Sequence, residues 1–308
     1  MGNCAVSTLF LSNHAIIPST MYDAEYTRKF YNHYGEKEWG RLERSAYGRL
    51  EAVTHNDFLE RYVKPGARVL DAGSGPGRFS ISLSRLGARV TVLDISDTQL
   101  ELARKNVAEA GVSDSIEQYI RGDICDLSKF GDSSFDAVVC FGGALSYVCE
   151  HRQKAADELV RVTKPGGVIL VSVMSVLACV LGVVKAADLP YLNEPDNPDI
   201  GEVGISFWDV LRTGDLPGFA SKSGMRHAAM HMYTAEELAR LFNRFEILET
   251  AGCCVTLSEY SKTPDELAQE PAWSTIVELE RKLRIDPGLV NTGSHIILAA
   301  RKTESRRA

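Results

Sequence analysis

Glycines in this sequence are concentrated at one short stretch where a strand is expected to end. Residues 68–80 read RVLDAGSGPGRFS, in which Gly73, Gly75 and Gly77 occupy alternate positions. The pattern predicts a buried strand, a tight turn and the start of a helix. Glycine is needed where a backbone turns sharply or where a ligand must approach with no Cβ in the way. The spacing G-x-G-x-G differs from the G-x-G-x-x-G of dinucleotide-binding proteins.

Acidic residues and further glycines follow the next apolar segments of the chain. Residues 89–94, RVTVLD, end in an acid about twenty residues beyond the first strand, where an acceptor for a ribose diol is expected. The triplet Gly-Asp-Ile at 122–124 follows a third short strand, and residues 135–143, FDAVVCFGG, form a fourth. Residues 164–173, KPGGVILVSV, combine a helix stop, a turn and a fifth strand. Strands that alternate with helices in this way predict a parallel sheet with helices on both faces.

As an ordered set, these motifs resemble those of the class I S-adenosylmethionine (SAM) dependent methyltransferases of the small-molecule type. The resemblance spans residues 68–174, about a third of the chain. It implies an α/β, doubly wound, mostly parallel seven-stranded sheet whose last strand is antiparallel, with a helical N-terminal cap and an insertion after strand 5. It also implies SAM as the cofactor. Periodicity alone indicates only a nucleotide-binding α/β sheet.

The resemblance assigns cofactor contacts residue by residue. Gly73 and Gly75 are expected against the methionine and ribose portions, Asp94 on the ribose hydroxyls and Asp123 on the adenine amine. For Asp71 two roles stay open, orienting the amino end of the methionyl group or pinning the turn as a buried acid. The full set of expected cofactor-binding residues is Asp71, Ala72, Gly73, Gly75, Asp94, Ile95, Asp123, Ile124, Phe141 and Gly142.

Candidates for catalysis lie in the loop after the fourth strand and in a histidine-rich segment. Tyr147 belongs to the loop expected nearest the reactive methyl, and His231 pairs with His227 at a spacing of four that would share a helical face. Tyr147 and His231 are the expected catalytic residues, while His151 is expected on the surface. No third ligand accompanies the two histidines, so no metal is expected. The loop lacks the Asp-Pro-Pro-Tyr and Asn-Pro-Pro-Tyr patterns that adenine N-methylating enzymes show.

Size and composition limit the possible partners. The chain has 308 residues, 44% of them hydrophobic, which is enough for one large core. Its net charge of −7 and dispersed basic residues disfavour a nucleic-acid partner. No apolar run at residues 1–20 is long enough to span a bilayer, so no membrane partner is expected. Seven cysteines without a C-x-x-C pair fit a reducing, cytoplasmic location.

The chain is expected to form a flexible extension and one methyltransferase domain. The extension is residues 1–20 and the domain is 21–308. Within the domain we expect a helical cap of two helices, a SAM-binding core, a substrate lid and the last part of the sheet, at 21–60, 61–174, 175–233 and 234–301. The cap either closes the sheet or acts as a lid whose Tyr31, Tyr34 or Trp39 touches the ligand.

The predicted function is that of a SAM-dependent methyltransferase that moves a methyl group to O, N or S of a small-molecule metabolite. Two alternatives remain open at this stage. One is a protein or RNA methyltransferase, which the acidic net charge disfavours. The other is a SAM-binding protein without methyl transfer, since the cofactor motifs concern binding and not turnover. The sequence leaves the acceptor and the oligomeric state open.

Overall fold

The glycine-rich stretch follows the first strand of a seven-stranded sheet. The computed structural model describes residues 21–185, 207–218, 228–257 and 265–303. The strands are β1 Arg68–Ala72, β2 Arg89–Asp94, β3 Ile116–Arg121, β4 Phe135–Cys140, β5 Thr163–Met174, β6 Asp215–Leu216, β7 Met230–His231, β8 Glu246–Cys253 and β9 His295–Arg301. Strands β6 and β7 form a separate two-stranded ribbon, and the others follow the order β3-β2-β1-β4-β5-β9-β8. In the seven-stranded sheet, β9 runs antiparallel to both of its neighbours, β5 and β8, and the remaining neighbouring strands are parallel, so the predicted fold class is confirmed.

Strand β1 lies in the interior of the sheet and is buried on both faces because helices cover both sides of the sheet. Successive side chains of a strand point to opposite faces. In β1, Leu70 and Ala72 pack into one hydrophobic cluster, while Val69 packs into the other. A strand covered in this way reads as a nearly continuous apolar run, which is why β1 could be recognised from sequence. Asp71 is the exception, and its carboxylate must therefore find a partner inside the protein.

Helices occupy the connections between strands as the sequence predicts. They are α1 Ala24–Tyr34, α2 Lys37–Arg41, α3 Ala46–Tyr62, α4 Arg78–Arg85, α5 Asp97–Glu109, α6 Arg152–Val162, α7 Val176–Lys185, α8 Phe207–Thr213, α9 Ala235–Leu241 and α10 Ala272–Leu283. Polar side chains cap the start of several of them. The Ser96 hydroxyl accepts the Gln99 amide at the start of α5, and the Thr234 hydroxyl accepts the Glu237 amide at the start of α9.

The N-terminal cap contains three helices, whereas the sequence predicted two. The first break is at Gly35, whose φ of +52° ends α1. The second break lies at residues 42–45, because Ser45 caps α3 by accepting the Gly48 amide. The short helix α2 between these breaks is thus separated from α3. Helix α2 lies over the carboxyl ends of β1 and β4, where Glu38 approaches Gly75 and Arg41 approaches Gly142.

The segment after β5 begins as a helix and returns to the sheet through the ribbon. Helix α7 continues directly from β5, and α8 precedes β6. Within this segment, which the sequence predicted to be a substrate lid, Trp208 is 81% exposed, and Tyr191 and Phe219 lie outside the described residues. Among the residues that the structure describes, no helix combines the length and the hydropathy needed to cross a membrane.

The C-terminal part of the chain supplies the last two strands of the sheet and helix α10. Strand β8 ends at Cys253 and pairs with β9. A 3-10 turn, Asp265–Ala268, precedes α10. Pro271 stands directly before α10, at the start of a helix, where the missing amide hydrogen of proline is tolerated.

Truncating a core side chain of β9 should destabilise the fold strongly. Leu298 is fully buried in the cluster between the sheet and α6. We expect Leu298→Ala to lower the free energy of unfolding by about 2–5 kcal/mol, because it leaves a cavity among packed side chains. Leu279→Ala on α10 is the matched control, since Leu279 is 46% exposed and its loss should change stability by less than about 0.5 kcal/mol. Urea denaturation of both variants measures this, and equal losses would contradict the described packing.

Candidate active site

A cavity lies at the carboxyl ends of β1, β2 and β4, under the N-terminal cap. It encloses about 890 Å³ of space, including its solvent-filled mouth. Its walls come from the turn after β1, the ends of β2 and β3, the loop after β4, and helices α1 and α2. Ligands of open α/β sheets bind at this edge, so the cavity is the candidate active site.

Nine of the twelve expected site residues line this cavity. They are Gly73, Gly75, Asp94, Ile95, Asp123, Ile124, Phe141, Gly142 and Tyr147. The remaining three, Asp71, Ala72 and His231, are buried outside the cavity lining. Ala72 packs into the core beneath the sheet edge. Side chains that are separated by up to 74 positions in the sequence, from Gly73 to Tyr147, are thus brought together by the parallel sheet.

The turn after β1 is hydrogen-bonded to the end of β2. The amides of Gly73 and Ser74 both donate to the Leu93 carbonyl, at 2.8 and 3.0 Å. The Gly75 amide donates to Oδ2 of Asp94 at 2.8 Å, and the Ser96 amide donates to Oδ1 at 2.8 Å. Burial raises the pKa of Asp94 to about 6, although these amides oppose the shift. Each carboxylate oxygen has two lone pairs, so each keeps one for a ligand hydroxyl.

Gly73 is required by a close approach to the loop after β4. It has a φ of +78°, and a Cβ built on it would lie 2.5 Å from the Cβ of Ala144. No real side chain tolerates that contact, so the turn after β1 and the loop at 142–147 touch through backbone and a methyl group only. The loop is held in turn by the Gly142 amide, which donates to the Ser172 hydroxyl of β5 at 2.8 Å. Both glycine turns are therefore fixed by neighbouring strands.

Asp123 lies at the cavity wall after β3 and is partly covered by the N-terminal segment. Its Oδ1 accepts the Cys125 amide at 2.8 Å, and its Oδ2 accepts the Tyr22 hydroxyl at 2.7 Å. Tyr22 also donates its amide to Glu150 and packs its ring edge-on against His151. His151 itself is exposed, as expected. Tyr22 was not predicted as a site residue, since nothing local in the sequence connects it to Asp123.

The Asp71 side chain lies on the face of β1 opposite to Leu70 and Ala72. It is 1% exposed, and its Oδ2 accepts the Ser80 hydroxyl of α4 at 2.5 Å. Burial raises its pKa to about 7. The sequence left two roles open for Asp71, and the geometry favours a structural role. Asp71 accepts a side-chain hydroxyl rather than the backbone amides of the turn, and this bond holds the start of α4 to β1. Asp71 does not line the cavity.

His231 is enclosed by two carboxylates and does not line the cavity. It lies on strand β7, so the expected helical face shared with His227 does not form at His231, and His227 lies outside the described residues. Its Nδ1 contacts Asp215 Oδ1 at 2.7 Å, and its Nε2 contacts Glu237 Oε1 at 2.8 Å. With both ring nitrogens bonded, neither is available to an acceptor. His231 instead connects the ribbon to α9, and we withdraw it as a catalytic candidate.

Two phenols face each other in the cavity. Tyr147 of the β4 loop and Tyr31 of α1 contact edge to face, with ring centroids 5.5 Å apart. Burial raises the pKa of Tyr147 to about 12 and that of Tyr31 well above its usual value. Both hydroxyls therefore stay protonated near neutral pH and offer hydrogen bonds rather than a base. Of the other aromatic residues expected in a lid, Trp39 stacks on the Arg78 guanidinium and Tyr34 stacks on Phe30.

Helix α2 contributes an acidic and a basic side chain to the cavity, and neither was predicted. Arg41 donates through Nε to Glu38 Oε1 at 3.1 Å and through Nη1 to Glu51 Oε1 at 2.7 Å. Glu38 and Arg41 line the cavity, while Glu51 is buried behind Arg41. The amphipathic spacing of the cap could have indicated a buried face, but no sequence signal relates α2 to the glycine turns.

In the described part of the chain, no group of three metal-ligating side chains forms.

The chain matches known methyltransferases over the part that forms this site. A family profile described as methyltransferase domain matches residues 70–171, the segment from β1 to β5. This segment of the chain is therefore similar to a methyltransferase domain. A curated relative, the demethylmenaquinone methyltransferase of Clavibacter sepedonicus, is 41% identical over 137 residues, which cover 41% of this chain and 53% of that protein. The chain thus spans about half the length of the curated relatives that it matches.

Solved structures share the fold over most of the chain. An S-adenosylmethionine dependent methyltransferase from Mesorhizobium loti superposes with a TM-score of 0.52 at 21% identity, covering 84% of this chain and 99% of that one. The [4+2]-cyclase SpnF superposes with a TM-score of 0.57 at 18% identity, covering 94% and 99%. At such identities the superpositions describe the fold alone. They extend the methyltransferase fold beyond residue 171, to the antiparallel end of the sheet.

The cavity of the methyltransferase domain fits an adenosyl sulfonium ligand. Asp94 keeps a free lone pair on each carboxylate oxygen at the end of β2, as two ribose hydroxyls require. A second carboxylate, Asp123, lies at the end of β3 beside Ile124, which offers an apolar surface to a ring. The cavity-lining carboxylates Glu38, Asp94 and Asp123 outnumber the cations Arg41 and Arg78, and this excess suits a ligand with net positive charge.

Substitution of Gly73 should cost more than substitution of a glycine with the same backbone conformation. Gly66 has a φ of +79° but nothing within 4 Å of its missing Cβ. We expect Gly66→Ala to cost about 1–2 kcal/mol of stability through left-handed strain alone. Gly73→Ala should cost at least about 1 kcal/mol more, because Ala144 must move. Urea denaturation compares the two, and equal losses would show that the turn and the β4 loop do not touch as described.

The buried Asp71 carboxyl should make stability depend on pH in a definite direction. Its pKa is raised from 3.8 to about 7 in the folded state, so the folded protein binds more protons than the unfolded chain between these values. Stability contributed by this group is therefore present below about pH 4 and lost as the pH rises through about 7. We expect the stability of Asp71→Asn relative to the unsubstituted protein to rise over that range, by at most about 1.4 kcal/mol per pH unit.

The comparison uses denaturation midpoints of both proteins measured at each pH, because other carboxylates titrate equally in both. A stability difference that stays flat or falls between pH 4 and 7 would mean that Asp71 is ionised at low pH in the folded protein.

Proposed function

We propose that this protein is a SAM-dependent methyltransferase that methylates O, N or S of a small-molecule acceptor. The observation that carries the proposal is the convergence of Asp94, Asp123 and the glycine turn at 73–75 on one cavity. Gly73 and Gly75 would let the ligand approach the backbone, Asp94 would accept its ribose hydroxyls, and Asp123 with Ile124 would hold its adenine. The cofactor supplies a methyl group on a sulfonium, whose leaving group is already activated.

The chain's own contribution to transfer would be alignment and exclusion of water. No histidine lines the cavity among the described residues, and burial keeps the Tyr31 and Tyr147 phenols protonated. Asp94 and Asp123 are assigned to the cofactor, and Glu38 is held in an ion pair with Arg41. The acceptor would therefore arrive with its nucleophilic atom already unprotonated, and Tyr147 would orient it by a hydrogen bond. Holding two reactants in line can supply much of the rate acceleration without a base.

A small acceptor fits the cavity better than a macromolecule. The cap helices cover the sheet edge, and the net charge of −7 opposes a nucleic-acid backbone. The similarity to a demethylmenaquinone methyltransferase supports a small acceptor, whose identity the cavity does not define. The cysteines of the described residues are unpaired, which supports the proposed cytoplasmic location. A SAM-binding protein without methyl transfer is the second candidate, since a [4+2]-cyclase has the same fold.

Removing the charge of Asp94 should weaken cofactor binding selectively. We expect Asp94→Asn to raise the Kd for S-adenosylhomocysteine by roughly 10- to 100-fold, because a neutral amide loses charge-assisted hydrogen bonds to the ribose. Asp114→Asn is the matched control, since Asp114 is exposed outside the cavity and its substitution should leave the Kd unchanged. Isothermal titration calorimetry measures both. An equal Kd for Asp94→Asn and the unsubstituted protein would remove Asp94 from the site.

The function itself is tested by incubating the protein with methyl-labelled SAM and a pool of small metabolites. Release of S-adenosylhomocysteine together with a labelled small product supports the proposal. Binding of S-adenosylhomocysteine without any release supports the second candidate, and the absence of binding rejects both.

A further inference from the structure

Helix α2 places one carboxylate and one guanidinium over the two glycine turns of the cavity. The Cγ of Glu38 lies 3.8 Å from the point that a Cβ on Gly75 would occupy. The Nη2 of Arg41 lies 3.9 Å from the corresponding point on Gly142. Gly75 follows β1 and Gly142 follows β4, and these strands are neighbours in the sheet. The two side chains therefore face adjacent strand ends from above.

Each of these side chains retains one polar atom without a partner. Arg41 uses Nε for Glu38 Oε1 and Nη1 for Glu51 Oε1. Within the described part of the chain, Nη2 of Arg41 and Oε2 of Glu38 make no hydrogen bond. A guanidinium nitrogen offers two N–H donors, and a carboxylate oxygen offers two lone pairs. The cavity thus presents an unused donor and an unused acceptor on one helix.

Arg41 is held in this orientation from behind. Glu51 is 1% exposed, and although its burial opposes ionisation, the Arg41 guanidinium holds the pKa of Glu51 at about 2. Its second oxygen, Oε2, is buried with no partner among the described residues, so Arg41 is its main compensation. Such a buried pair is costly to separate. Arg41 is therefore a fixed donor at the cavity wall rather than a mobile surface side chain.

We propose that Glu38 and Arg41 bind the α-amino-acid end of the cofactor, with its ammonium on Glu38 and its carboxylate on Arg41 Nη2. The inference rests on the proposed function, which assigns the adenosyl end to Asp94 and Asp123. The other end of the ligand must then extend from Asp94 along the turn at Gly75, and Glu38 is the charged side chain that covers this glycine. An α-amino acid carries a cation and an anion close together, which matches the alternation on α2.

The same pair suits a methyl acceptor less well. A singly charged acceptor would be attracted by one member of the ion pair and repelled by the other, whereas a zwitterion satisfies both. The phenols of Tyr31 and Tyr147 provide a separate polar surface for the acceptor, at the loop that follows Gly142. Glu38 and Arg41 are thus specificity residues for the cofactor, supplied by the cap and not by the glycine motif.

Two ligands that differ only in the amino-acid end test this assignment by calorimetry. S-Adenosylhomocysteine carries that end, and 5′-methylthioadenosine lacks it while keeping the adenosyl thioether. We expect Glu38→Gln to raise the Kd for S-adenosylhomocysteine about tenfold, the value of one charge-assisted hydrogen bond, and to leave the Kd for 5′-methylthioadenosine within about twofold. Arg41→Lys should act in the same way, because an ammonium cannot replace the directed Nη2 donor.

Glu36→Gln is the matched control, since Glu36 precedes α2 and is exposed outside the cavity. It should change neither Kd. Equal losses for both ligands in Glu38→Gln and Arg41→Lys would show a merely structural role, and no loss for either ligand would assign the pair to another partner. Both outcomes overturn the inference while the proposed function stands. Failure of the unsubstituted protein to bind either ligand would reject the proposed function itself.

Discussion

The site depends on the bonding of the turn after β1 to the end of the adjacent strand β2. Three amides of the turn, at residues 73–75, donate to Leu93 and Asp94 and not to their own strand. Burying the Asp94 carboxylate is unfavourable, and two backbone amides offset part of this cost. The Gly75 amide reaches the carboxylate because φ at Gly75 is +53°, a conformation that other residues adopt only with strain. Glycine is thus needed here for electrostatic as well as steric reasons.

The same strand end positions the N-terminal cap. The Asn32 side chain of α1 accepts the Ser96 hydroxyl, and the Gln99 side chain donates to the carbonyls of Tyr31 and Gly35. Arg28 of α1 also pairs with Asp97. These contacts hold α1 against the first turn of α5, directly after Asp94. The glycine turn and helix α1 are therefore both attached to the end of β2 and the start of α5. This attachment also sets the position of α2 above the turns.

The sequence predicted those features that depend on local pattern. The strands, their order along the chain and the acids at strand ends follow from alternating apolar runs and glycine turns, and Asp94 and Asp123 do lie in one cavity. Tyr22 could not be placed, because its partner Asp123 is 101 residues away. Glu38 and Arg41 could not be placed either, since their position over Gly75 and Gly142 depends on how the cap docks. His231 was misassigned because a spacing of four was taken as helical, whereas the segment is a strand whose carboxylate partners come from β6 and α9.

The shared fold of a methyltransferase and a [4+2]-cyclase shows that the sheet alone does not determine the reaction. Under the proposed function, the carboxylates Glu38, Asp94 and Asp123 contact the cofactor, and the remaining cavity wall faces the acceptor. In the proposed reaction that wall would be formed by two protonated phenols, Tyr31 and Tyr147. The apolar cluster behind Tyr147, with Met230 and Met232, is buried outside the cavity lining and supports the β4 loop from behind. Phenols fix orientation without taking a proton at neutral pH, so the nucleophile itself would have to bring the lone pair that attacks the methyl group.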